Sequence, residues 1–461
     1  MALDRVLAAI DDGLDASLER LFALLRIPSV STDPAFAGDC REAADWLASE
    51  LGGIGFDAGV RPTKGRPMVV AHARRNGRAQ GPRVLFYGHY DVQPPDPLDL
   101  WKTPPFEPCI VEADGRKRIV ARGAADDKGQ LMTFVEACRA FVAVEGKLPL
   151  PMTVLFEGEE ETGSPSLKPF LDANRDELRA DVALVCDTDM WDAETPAVTT
   201  MLRGLVLEEV IVRGASHDLH SGLFGGPAIN PIRVLARVLG DIHDADGRVA
   251  IPGFYEGVGE LDARIRRQWM SLALDERRFL GDLGLKHSAG EKGRHILEQL
   301  WSQPTCDVNG IIGGYTGEGS KTVIPARASA KVSFRLVGDQ DPVAVRDAFH
   351  KFVRARLPAD CKVEFIAHGA SPALSLPPDS PFLGKTRAAL AAEFGRPAVL
   401  KGSGGSIPIV GAFKNDLGMD SLLVGFGLDN DRIHSPNEKY DLESFRKGAR
   451  SWARILAALG E

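Results

Sequence analysis

VLFYGHYD, residues 84–91, runs an unbroken apolar stretch straight into a histidine and an aspartate. Consecutive apolar residues without alternation suit a strand covered on both faces. Three further runs repeat the pattern. Val154-Leu155-Phe156 enters Glu157, Glu159, Glu160 and Glu161; Val182-Ala183-Leu184-Val185 enters Cys186-Asp187-Thr188-Asp189; Leu422-Leu423-Val424 leads through GFGLDNDRI to His434. Helical stretches such as 128–144 lie between them. The expected fold class is therefore α/β, with a mixed, largely parallel central sheet covered by helices. Ligands of such sheets bind beyond the carboxyl ends of the strands, so the acids and histidines just past each run are expected to converge.

The chain has 461 residues, enough for two domains or for one domain with a large insertion. Its middle follows a different rhythm. Strand-like 204–213, a helical 227–244, strand-like 310–317 and 326–336, a helical 341–356 and strand-like 361–368 give the order β-α-β-β-α-β of a ferredoxin-like α+β module. An extra helical stretch near 257–302 interrupts it. Chemistry-bearing residues lie on both sides, so 205–372 reads as a domain inserted between the two parts of the α/β domain, 1–204 and 373–461. The net charge is −9 and no Lys/Arg run stands out, which makes nucleic acid and anionic membranes poor partners. Six cysteines without CxxC spacing argue against a disulfide framework or a thiolate zinc site. The N-terminal stretch carries acids throughout and reads as an amphipathic helix of the fold, not a signal peptide. No run reaches the length of a membrane span. A cytoplasmic setting is expected.

Crowded carboxylates at the end of an apolar strand repel one another, so a cation among them is the natural remedy. His89, Asp91, Asp126, Asp127, Glu160, Glu161, Asp187, Asp189 and His434 form a nitrogen/oxygen donor set with no need of cysteine. That set suits Zn²⁺, and Mn²⁺ or Co²⁺ nearly as well. The acids exceed the needs of one ion, and two divalent ions sharing a bridging carboxylate accommodate them. Asp91 stands two residues from His89, placed to accept the other N–H of a metal-bound imidazole. Singly, each residue is ordinary: a strand-end histidine is usually structural, and a Glu-Glu pair is usually solvated surface. Their recurrence at four strand ends carries the reading.

Nine segments in order, GHYDVQP (88–94), ARGAADDKGQ (121–130), FEGEEETGS (156–164), CDTDMW (186–191), DLHSGLFGG (218–226), GEGSKTVIP (317–325), SFRLV (333–337), GSGGSIP (402–408) and HSPNEKYD (434–441), resemble the M20 metallopeptidases, and among them the dipeptidase branch. The resemblance implies a role for each position. His89, Asp126, Glu161, Asp187 and His434 would hold two metal ions, with Asp126 bridging and the Asp126–Asp127 peptide cis. Asp187 matches the family's single aspartate ahead of the tryptophan; Asp189 is the alternative. Glu160 would be the general base, taking a proton from water and passing it to the leaving amine. Glu159, at a variable position, is expected to face solvent. His220 would reach the active site of a partner subunit and stabilise the oxyanion, making a homodimer part of catalysis. Arg335 would clamp the carboxylate of a small peptide substrate, helped by Thr322 and by the 402–406 loop with Ser406.

The activity so implied is metal-dependent hydrolysis of dipeptides. Two alternatives stay open. One is a sister amidohydrolase, an N-acyl or succinyl amino acid deacylase or a glutamate carboxypeptidase. The other is a metal-binding scaffold without turnover, against which the intact Glu160 speaks.

Overall fold

The computed structural model describes residues 2–73, 81–405 and 407–461. The chain divides into two compact units, one built of 1–200, 376–401 and 408–461, the other of 201–375 and 402–407. The strands that matter here are, in chain order, β1 (Phe56–Arg61), β2 (Met68–Ala73), β3 (Val84–His89), β4 (Met152–Glu157), β5 (Val182–Val185), β6 (Gly204–Arg213), β7 (Thr305–Gly313), β8 (Arg327–Leu336), β9 (Lys362–Ser371) and β10 (Asp420–Leu423). The helices are α1 (Ala2–Asp12), α2 (Leu14–Leu25), α3 (Lys128–Glu145), α4 (Pro231–Gly240), α5 (Pro342–Arg354) and α6 (Leu442–Gly460).

In the first unit the strands run in the order β1-β2-β4-β3-β5-β10. β3 pairs in parallel with β4 and β5, and β5 with β10, while β1 and β2 lie antiparallel at one edge and Ala197–Leu202 continues the sheet past β10. The four apolar runs of the sequence are thus the four adjacent parallel strands. Their residues are buried without alternation, as both-face coverage requires. Phe86 of β3 stacks on Phe134 of α3 at 3.5 Å and meets Trp452 of α6 edge-on at 5.4 Å. Those contacts fix α3 and α6 on the sheet. α3 is buried over most of its circumference and ends at Gly146, whose φ of +69° closes the helix in the left-handed region. The N-terminal stretch forms two helices with a break at Gly13, where the sequence suggests one.

The second unit is a four-stranded antiparallel sheet in the order β7-β8-β6-β9, with α4 and α5 supplying its helices. Numbering the four strands along the chain, the order 2-3-1-4 is that of a ferredoxin-like fold. α4 is shorter than its sequence pattern, because Asn230 accepts the Ile232 N–H at 3.0 Å and Pro231 takes the first helical position. Segment 402–407 belongs to this unit. The Arg203 N–H donates to the Ser403 carbonyl at 3.3 Å. A Cβ on Gly402 would fall 2.3 Å from Cβ of Trp301, so a side chain there would prevent the packing.

Candidate metal centre

Parallel strands deliver their carboxyl ends to one edge of the sheet, and there the expected donors meet. His89 is the last residue of β3 and fully buried. Asp126 lies two residues before the start of α3, and its peptide bond to Asp127 is cis. Glu160 and Glu161 open the turn that follows β4, Asp187 lies two residues past β5, and His434 stands on the loop after β10 with φ at +58°.

Asp126 faces both histidines. Its Oδ1 lies 3.0 Å from His89 Nε2 and its Oδ2 2.9 Å from His434 Nε2. Asp187 Oδ2 stands 3.9 Å from His89 Nε2, and Glu161 Oε2 stands 3.2 Å from His434 Nε2. Among the described residues, two groups therefore offer donor atoms all within 4.8 Å of one another: His89, Asp126 and Asp187, and Asp126, Glu161 and His434. One carboxylate common to two histidine–carboxylate groups is the arrangement a pair of divalent ions requires. The donors are nitrogen and oxygen only, which fits Zn²⁺, Mn²⁺ or Co²⁺.

Electrostatics bear out the crowding. Burial beside Asp126 pushes the Asp187 carboxyl well above its ordinary range. Burial raises Glu160 also; the His89 charge opposes this, and Glu161, Asp126 and Asp91 reinforce it. For Asp126 burial acts upward too, but hydrogen bonds from His434 and His89 outweigh it and hold the carboxyl low. His434, bonded to Asp126 and Glu161, is pushed up to about 10. The crowding that raises the Asp187 and Glu160 carboxyls is what divalent cations, when bound, would relieve.

One expectation is extended and one needs correction. His89 Nδ1 lies closer to the Asp91 backbone carbonyl, 3.1 Å, than to the Asp91 carboxylate, 3.4 Å. The carboxylate serves the next strand end: it accepts the Glu160 N–H at 3.2 Å and the Glu161 N–H at 3.1 Å. Asp91 thereby holds the turn that carries both glutamates. Glu159 does not face solvent. It is buried, and it accepts backbone N–H groups of Arg66 at 2.9 Å and Ser166 at 3.3 Å. Backbone donors on both sides made that burial tolerable. Asp189 turns away from the donor groups to pair with Lys401, leaving Asp187 beside His89.

Three supporting residues lie within the matching segments 88–94 and 434–441, where the sequence reading gives them no role. Glu438, fully buried, accepts from Arg122 Nη1 at 2.8 Å, Gly123 N–H at 2.9 Å, Ala125 N–H at 2.9 Å and the N–H of Asp126 itself at 3.1 Å. Gln93 donates to Glu161 Oε2, the oxygen that faces His434, at 2.8 Å. Lys439 joins Asp431 to Asp441 at the base of the His434 loop. Nothing local to these positions tells that backbone amides converge on Glu438, or that Gln93 and Lys439 donate to carboxylates.

The remaining candidates belong to the second unit. His220 and Val323 are paired in a short two-stranded ribbon, so Thr322 follows His220 closely in space; the Ser221 N–H donates to the Thr322 carbonyl at 3.1 Å. His220 is exposed, and its Nδ1 accepts the Gly222 N–H at 3.0 Å, which leaves Nε2 as the outward atom. Arg335 is half-buried on β8. Ser406 lies outside the described residues.

The sequence matches the profile of peptidase family M20/M25/M40 over residues 85–458. The chain belongs to that family. Among its M20 relatives, the Cys-Gly metallodipeptidase DUG1 of Saccharomyces cerevisiae is 31% identical over 100% of this chain and 98% of its own. The human Beta-Ala-His dipeptidase is 30% identical over 82% of this chain and 75% of its own. Among solved structures, the M20 metallo-carboxypeptidase Sso-CP2 of Sulfolobus solfataricus is 31% identical, covers 96% of this chain and 99% of its own, and superposes with a TM-score of 0.80. The fold of this M20 chain, α/β with an inserted ferredoxin-like module, is the one its sequence pattern implies.

Proposed function

We propose that this M20 chain is a dinuclear metallodipeptidase that hydrolyses the amide bond of small peptides. The observation that carries the reading is Asp126, one carboxylate facing two histidines, each with its own second acid. His89, Asp126 and Asp187 would hold one divalent ion, and Asp126, Glu161 and His434 the other, most suitably Zn²⁺, with Mn²⁺ or Co²⁺ as substitutes. Such ions, when bound, act as Lewis acids toward a carbonyl and make water acidic near neutral pH. Glu160 stands beside this centre without belonging to either donor group. Its raised carboxyl suits a residue that takes a proton from the attacking water and returns it to the departing amine. Asp91 keeps it there through its backbone.

His220 of the partner subunit is assigned to the oxyanion, and Arg335, with Thr322 and Ser406, to the substrate carboxylate. A homodimer follows from the first assignment. β7 supports it: at the edge of its sheet among the described residues, it exposes Val308, Ile311 and Ile312, three large apolar side chains. The six cysteines are free thiols, which suits the cytoplasm; no helix among the described residues is long and apolar enough to cross a membrane.

The dipeptidase names of the yeast and human relatives support the substrate class. The carboxypeptidase name of the Sulfolobus protein keeps a sister peptidase as the second reading. Chelator-stripped protein assayed on dipeptides, N-acyl amino acids and longer peptides, with and without Zn²⁺ or Mn²⁺, separates them. Metal-restored cleavage confined to dipeptides is the expected outcome. Restored cleavage of acyl amino acids or of longer chains alone moves the protein to the sister class.

A further inference from the structure

Antiparallel pairing of β2 with β4 sets Val69 against Phe156. The start of β2 therefore lies beside the carboxyl end of β4, and the connection from β1, residues 62–67, is delivered to the edge where the metal donors meet. That connection is a self-bonded turn: Thr63 Oγ1 donates to the Arg66 carbonyl at 2.6 Å and accepts the Gly65 N–H at 3.0 Å. Arg66 Nη2 donates to the carbonyls of Ser31 at 3.1 Å and Asp33 at 2.8 Å. The Tyr90 hydroxyl donates to the Pro67 carbonyl at 2.6 Å. So held, the turn is an anchor.

Glu159 reaches from the glutamate turn into this anchor. Its Oε1 accepts the Arg66 N–H and its Oε2 the Ser166 N–H, so each carboxylate oxygen bonds a different segment. A Cβ on Gly65 would collide with Glu159 Oε1, so the carboxylate fills the space a side chain there would need. The Glu159 carbonyl accepts the N–H groups of Thr162 at 3.2 Å and Ser164 at 2.8 Å, which closes the turn behind the next two glutamates. Those two depend on the turn unequally. The Glu161 carboxyl is held by Gln93 and faces His434. The Glu160 carboxyl has no hydrogen-bond partner among the described residues, so its backbone, bonded to Asp91, is what aims it. Burying a carboxylate costs more than burying an apolar side chain. What the charge adds at Glu159 is two directed bonds that a methyl group could not make.

We propose that Glu159 is a positioning residue for the hydrolysis: by joining the 62–67 turn to Ser166, it fixes the turn from which Glu160 reaches the metal centre. That Glu160 acts as base rests on the dipeptidase reading; the clamp itself does not. Misplacing a reacting group by about 1 Å costs on the order of 10²-fold in rate, so the clamp is expressed in kcat and not in substrate binding.

The test uses the full-length, metal-loaded protein, with dipeptide kinetics and elemental analysis read together. Glu159→Ala is expected to lower kcat roughly 10–100-fold with KM changed by less than about twofold. Metal content is retained, because Glu161 keeps its own partners. Gly65→Ala reaches the clamp from the other side: its methyl displaces the carboxylate and should give the same signature with every glutamate in place. In the double variant the methyl meets no carboxylate, so kcat should match that of Glu159→Ala alone; losses that multiply overturn the proposal. An unchanged kcat in Glu159→Ala, or a loss of metal that accounts for the whole fall, overturns it as well. Should Glu159→Ala fail to fold, Glu159→Gln replaces it, keeping the volume with one acceptor oxygen. A fall in kcat of about fivefold or more then supports the clamp, and a native kcat overturns it. A native protein that cleaves no dipeptide sinks the dipeptidase reading instead. Crystal structures of the native and Glu159→Ala chains then decide the clamp: displacement of turn 160–162 by about 1 Å supports it, and an unmoved turn overturns it.

Discussion

Glu160 and Glu161 are neighbours in sequence with different surroundings, and the difference is testable. Glu161 Oε2 faces His434 and is fixed by Gln93; Glu160 belongs to neither donor group. Glu160→Ala should therefore lower kcat by roughly 10²–10⁴-fold, the usual worth of a general base, while elemental analysis still finds the full metal content. Loss of metal with the activity would remove Glu160 from the role of base. Glu438→Gln makes the converse case. Its carboxylate accepts four donors of the loop that ends in Asp126, and an amide nitrogen in its place would meet backbone N–H groups head-on. Metal affinity by titration should fall roughly 10–100-fold with little change in the circular dichroism spectrum; unchanged affinity would show that Asp126 is held without it. These two residues mark what the sequence discloses. The donors could be read because each follows an apolar strand run, a pattern local to the chain. The roles of Glu438 and Gln93, the further partners of Asp91 and the partners of Glu159 could not, because those contacts arise only where folding brings separate segments together.

At the scale of elements, α3 begins two residues after Asp126 and carries Lys128, its first residue, into the protein. The Lys128 ammonium is fully buried and donates to the carbonyls of Leu24 at 3.1 Å and Ile27 at 2.7 Å, just where α2 ends. Burial draws its pKa down from 10.5 to about 7. Between those values the unfolded chain binds the proton more tightly than the folded one, so stability rises with pH across that window. Below about pH 7 both states are protonated and the full cost of burying the charge remains. Lys128→Met abolishes this slope. Urea unfolding at pH 7 and pH 9 should show the native protein gaining about 2 kcal/mol relative to the variant on going to the higher pH; a constant difference between the two would mean that Lys128 stays charged in the fold. The strands and long helices were legible here because burial on both faces suppresses alternation, as in 84–87 and 152–156. Boundaries were less so. The pattern predicts a helix over 227–244, but a capping asparagine and a proline start it at Pro231, and Gly13 divides what reads as one N-terminal helix.

For the whole molecule the open question is whether one chain suffices. The ferredoxin-like order of the insertion was legible from its strand and helix rhythm; no periodicity states what its exposed edge is for. Ile311 and Ile312 on β7 are more than half exposed, and a charge there should be incompatible with strand pairing between two copies. Ile311→Asp is expected to yield monomers by light scattering, with metal content per chain retained and activity lost. A dimeric or fully active I311D protein would place any interface elsewhere. Complementation then decides whether His220 serves its own chain or its partner's. Chains carrying Glu160→Ala and His220→Ala are each inactive, and mixing them through reversible unfolding gives equal chance of each pairing. If His220 acts across the interface, every mixed dimer holds one complete site, with Glu160 from one chain and His220 from the other, and activity recovers to about a quarter of the native level. If His220 acts within its own chain, no pairing restores a site and the mixture stays as inactive as its parts. Recovery would show that the inserted unit is half of an active site as well as a means of association.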